Sequence, residues 1–143
     1  PLHRLTNWPS PEGRPTWSPD GSHVAFLSGH KESKEEWGLW VATADGSKAA
    51  RQIQGRVMAE DHPEWYDDRH IFVVRLAEEL NNPIVYADLQ TGQVSRLELP
   101  TVLHTHIDIS PDGRKIALCA RGREGDGNLT WLKLYVGTLI STD

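Results

Sequence analysis

A strand ending in tryptophan, a tight turn and an apolar run, RPTWSPDGSHVAF from Arg14 to Phe26, recur along this chain at a nearly fixed interval. In Ser18-Pro19-Asp20-Gly21 the proline presets φ for the first corner, Asp20 can accept hydrogen bonds from the turn backbone, and Gly21 tolerates the left-handed conformation that ends it. The unbroken Val24-Ala25-Phe26-Leu27 that follows suits a strand covered on both faces. A single copy would describe any antiparallel hairpin, and recurrence narrows the choice. A second copy opens at His62-Pro63-Glu64-Trp65, with Ile71-Phe72-Val73-Val74 as its buried strand. A third runs through His106-Ile107-Asp108-Ile109 into Ser110-Pro111-Asp112-Gly113. Trp17 and Trp65 lie 48 residues apart, and Trp65 and Ile109 44. A four-stranded propeller blade repeats at about 40 to 50 residues.

These spacings predict an all-β chain, a β-propeller of four-stranded antiparallel blades with three blades per chain. Blade 1 spans 15–54, blade 2 spans 55–99, and blade 3 spans 100–143 without an outer strand. Residues 1–14 are expected to hold the outer strand of a preceding blade, His3 to Thr6, followed by a Pro-rich loop. Third strands are expected at Trp37 to Thr43, Ile84 to Tyr86 and Trp131 to Val136, and Arg51-Gln52-Ile53 echoes Arg4-Leu5. The turn of the second copy, Tyr66-Asp67-Asp68-Arg69, has lost both proline and glycine, which leaves its geometry open. A composition of 12 Gly, 9 Pro and 6 Trp agrees with many short strands and turns.

A net charge of -5 with no run of Lys or Arg lacks the electrostatic footprint of a nucleic-acid binder. No stretch approaches the roughly 20 apolar residues of a membrane-spanning helix. Pro1 in the place of an initiator methionine marks a processed form or a piece of something longer. Cys119, in Ile116-Ala117-Leu118-Cys119-Ala120, reads as a small buried hydrophobe and leaves no internal disulfide to form. Glu78-Glu79 reads as a solvated loop face rather than a carboxylate pair.

The chain resembles the TolB-like branch of WD-type β-propeller repeats. The resemblance rests on RLT at Arg4 to Thr6, P-x-W-S-P-D-G from Pro15 to Gly21, the strand and turn from Leu39 to Gly46, and ISPDGRKIA from Ile109 to Ala117. It implies rings commonly of six blades, a periplasmic or extracellular setting, and a scaffold that serves many unrelated functions. Three blades do not close a ring, since propellers need about four to eight. Two chains joined head to tail would make six, each amino-terminal strand completing the partner's third blade, with His3, Arg4, Leu5, Thr6, Trp131 and Leu134 at the junction. The competing readings are a fragment whose other blades are absent, and a nine-bladed trimer.

In such a ring the variable loops and inner-strand starts place Arg14, Asp61, His62, His104 and His106 beside the channel, as candidates to bind a protein or small ligand. His104, His106 and Asp108 alternate and would share one face of a strand, but hydrogen-bonded channel histidines are the default over a metal site. No cofactor is implied. Trp17 and Trp65 are expected to pack between blades, and Trp8 to serve as a surface anchor or a lid over the channel. With no G-x-S-x-G, H-E-x-x-H or G-x-x-x-x-G-K motif, the sequence favours a non-catalytic binding module. The alternatives are a hydrolase or lyase using His62 and His106 in acid–base roles, or an accessory domain of a peptidase-like protein.

Overall fold

A computed structural model of the chain describes residues 2–30, 36–58, 61–75 and 82–139. Among these, eleven strands form three antiparallel sheets, each strand paired with its neighbour in sequence. The first sheet holds β1 (Glu12–Trp17), β2 (His23–Ser28), β3 (Trp37–Thr43) and β4 (Arg51–Val57). The second holds β5 (Glu64–Trp65), β6 (His70–Val74), β7 (Ile84–Asp88) and β8 (Val94–Arg96), and the third holds β9 (Val102–Ile109), β10 (Lys115–Arg121) and β11 (Lys133–Thr138). Two complete blades and one of three strands are therefore present. Glu78 and Glu79 lie outside the described residues.

The alternation of strand side chains divides each sheet into two apolar faces, and successive sheets stack on them. Ala25, Leu27, Leu39 and Val41 of the first sheet meet Trp65, Ile71, Val73 and Val85 of the second. The opposite face of the second, Phe72, Val74 and Ile84, meets Ile107, Ile116, Leu118 and Ala120 of the third. Apolar runs in β2 and β6 are thus read out on both sides, as the sequence demands.

The turns explain why the motif repeats. Gly21 N donates to Ser18 O at 2.9 Å, the Ser18 hydroxyl donates to Asp20 at 2.6 Å, and Asp20 accepts from Ser22 N at 2.9 Å. Ser110, Asp112, Gly113 and Arg114 reproduce these bonds in the third blade. The second blade reaches the same reversal differently, with Asp67 accepting from Arg69 N at 2.8 Å and His70 N at 2.7 Å. Partial burial works to raise the Asp67 pKa, but the bonds from His70 and the turn backbone outweigh it and hold the carboxyl below its usual range. Asp67→Ala should cost about 1–2 kcal/mol, a partly exposed carboxylate giving less than the about 1.5–3 kcal/mol of a sheltered hydrogen bond to a charged group, measured as a shift of the urea midpoint.

Three expectations change. Residues 3–6 form no strand and pair with none of the described strands; instead Leu5 packs on Phe26, Trp40 and Ala42, the first blade's outward face. Trp65 is buried at 8% exposure, with Nε1 donating to Thr16 O at 3.2 Å, while Trp17 in the equivalent place is 62% exposed, on the side of the first blade against which none of the described sheets stacks. Trp8 is neither lid nor free anchor: it stacks on His30 at 4.1 Å and tilts against Trp40 at 4.6 Å. Cys119 is half-buried on the outward face of the third blade.

Candidate functional site

The inner strands β1, β5 and β9 stand in order, β5 touching the other two, so the same repeat position recurs from blade to blade. Arg14, His62 and His106 hold one such position, each immediately before Pro15, Pro63 or Ile107, and all three side chains are exposed. Arg14 Nη1 lies 3.3 Å from His62 Nε2, joining the first blade to the second. Arg14 and His106 have φ of 54° and 49°, left-handed values that favour glycine, and each sits where its strand's register shifts. Such bulges bend a strand and re-aim its side chains, at a backbone cost of about 1 kcal/mol or more for a residue with a Cβ.

Asp61 and His104, expected beside the channel, are buried instead, at 1% and 2% exposure. The Asp61 carboxylate accepts from His106 N at 2.5 Å, fastening the entry of blade 2 to β9. His104 lies between Thr101 Oγ1, 3.0 Å from Nε2, and the Asn82 carbonyl, 2.8 Å from Nδ1. The left-handed backbone at His106 breaks the alternation, so His104 turns inward while His106 and Asp108 stay exposed on either side of buried Ile107, and the three do not share one face. Among the described residues no three His, Cys, Asp or Glu side chains come together as a metal site.

Two residues along from the basic row lies a second row that sequence reasoning missed: Thr16, Glu64 and Asp108. The signal was present, since these positions alternate with the row above on the same strands. Burial and then the charge of Asp108 push Glu64 up to about 7. A carboxyl with a folded pKa above its unfolded value contributes stability that is complete below the unfolded 4.5 and lost as pH rises through about 7. His104 acts in the opposite sense. Burial lowers its pKa below 6.5, the Asn82 carbonyl opposing, so its contribution is present above 6.5 and lost as pH falls. The stability gap between Glu64→Gln and the parent should therefore widen from pH 4.5 to 7 in favour of the variant, read from thermal melts. Parallel profiles would remove Glu64 from this role.

No family model matches the chain, and no curated protein matches its sequence. Solved structures do match in shape. TolB from Acinetobacter baumannii superposes with a TM-score of 0.60 at 19% identity, over 87% of this chain and 33% of that one. The β-propeller domain of the Trilobed protease from Pyrococcus furiosus, described by an open velcro topology, gives 0.64 at 20% identity, over 92% of this chain and 41% of that one. A prolyl endopeptidase gives 0.64 at 16% identity, over 92% of this chain and 22% of that one. The chain thus spans well under half the length of each, and its fold is that of a TolB-like β-propeller, present in part.

Proposed function

We propose that this TolB-like propeller segment is a non-catalytic binding module, taking an acidic group of a protein or small ligand on its inner-strand row within a ring completed by further blades. The observation that carries it is the row itself: Arg14, His62 and His106, one per blade, exposed and held in register, two of them in left-handed backbone. A basic or imidazole side chain repeated at one position of successive blades suits recognition of a carboxylate, and backbone strain retained at two of three such places fits a positional demand. Propellers among the structural neighbours, in TolB and in peptidases, support a scaffold role.

Isothermal titration with tetraglutamate and with tetralysine tests this. Tetraglutamate should bind, more weakly as salt rises, and His62→Ala or Arg14→Gly should abolish the heat while leaving a cooperative melt. Silence from tetraglutamate, or equal binding of tetralysine, would refute it. A second reading, a hydrolase or lyase, draws on Glu64, whose pKa near 7 beside exposed His62 is suited to proton transfer. Turnover in a generic substrate screen, lost in Glu64→Gln, would favour it.

A further inference from the structure

His106 is an extra residue in its strand. Along the ladder of β9 with β10, Ile107 faces Leu118 and Thr105 faces Cys119, so two consecutive residues of β10 span three of β9 and His106 has no strand partner. A β-bulge of this kind bends the strand and re-aims its side chains, and where the extra residue turns left-handed it suits glycine. His106 takes that conformation, at φ 49°, with a full and exposed side chain. Its backbone N–H is freed from the ladder and needs another acceptor.

Asp61 is that acceptor. Its carboxylate takes the His106 N–H at 2.5 Å from 45 residues away in the chain, and does so at 1% exposure. Burying a carboxylate is costly unless it accepts strong hydrogen bonds, so the placement is specific. The same carboxylate bears on two members of the basic row: His62 follows it directly in sequence, and His106 is bonded to it through the backbone. One blade earlier the corresponding residue is Gly13, which has no side chain to reach forward. The row member that follows at that junction, His62, is not among the left-handed residues. Left-handed His106 thus stands at the junction that has the carboxylate, and the junction without one has an ordinary backbone.

We infer that Asp61 is a positioning residue for the acid-binding row: it holds the bulge that turns the His106 side chain outward, and touches no ligand itself. A hydrogen bond to a charged acceptor outweighs the backbone cost of one left-handed residue, so the bulge is retained while that bond stands. Without it β9 relaxes toward an extended backbone at this point. Strict alternation then places His106 on the face of buried His104, away from the row. The functional consequence rests on the proposed acidic ligand, whereas the structural part is read without any ligand.

Nuclear magnetic resonance of the ligand-free chain reads the structural part. In Asp61→Ala the coupling between the amide and α protons of His106 should rise to that of an extended residue such as Ile109, and its amide should exchange about tenfold faster. Titration with tetraglutamate reads the consequence. Asp61→Ala should weaken binding about tenfold, the size of one charge-assisted contact, and Asp61→Asn, which keeps an acceptor oxygen, should stay within about threefold of the parent. In a His106→Ala background, Asp61→Ala should weaken binding no further, because its effect passes through that imidazole. An unchanged coupling in Asp61→Ala, equal losses in the Ala and Asn variants, or additive losses in the double variant would overturn the inference. Release of His106 in Asp61→Ala, with no heat from tetraglutamate in the parent, would uphold the inference and count against the acidic ligand. Should Asp61→Ala fail to fold, the His106 coupling in Asp61→Ser decides, and no rise in it counts against Asp61.

Discussion

Trp65→Ala is expected to lower the unfolding free energy by about 3–5 kcal/mol, the range for deleting a buried aromatic side chain. Trp65 is 8% exposed within the cluster that joins the first two blades, and its indole bridges their inner strands by a hydrogen bond to Thr16 O. Its removal leaves a cavity at that junction and deletes the bond to Thr16 O. The same change at Trp17 supplies the control. That side chain is 62% exposed in a single copy, so Trp17→Ala measured in dilute solution should move the urea midpoint by no more than about 0.5 kcal/mol. Equal losses at Trp17 and Trp65 in dilute solution would contradict the assignment of blade order.

Phe72→Ala should cost a comparable amount, about 3–5 kcal/mol, through the second junction. Phe72 is 6% exposed and stands edge-on to Tyr66 at 6.0 Å and tilted to Tyr86 at 5.7 Å, facing Ile107, Ile116 and Leu118 of the third blade. The third sheet has one covered face, so weakening this junction should release it before the first two blades unfold. Hydrogen exchange in β10 should then quicken ahead of exchange in β2 and β3. Uniform quickening across all three sheets would show one cooperative unit instead.

Local chemistry made most of the fold legible. Turns built on Ser-Pro-Asp-Gly carry their own hydrogen-bond acceptors, and runs such as Val24 to Leu27 leave no solvent face, so sheet order followed from residue type and spacing. The second turn was obscure because Asp67 supplies through its side chain what proline and glycine supply elsewhere. The candidate site was half legible. Arg14, His62 and His106 announce themselves by position, but strict alternation also predicted an outward His104, and the left-handed backbone at His106 defeats that rule without leaving a glycine to mark it. Asp61 likewise looks like a loop ligand in sequence and serves as a backbone anchor in space. Trp8 could not be placed because its partners, His30 and Trp40, are brought to it by folding rather than by proximity in the chain.

Amide hydrogen exchange strand by strand tests most directly whether the three sheets stack in chain order. The amides of β6, whose sheet is covered on both faces, should be the most protected, and those of β11 the least. Slower exchange in β11 than in β6 would contradict the account.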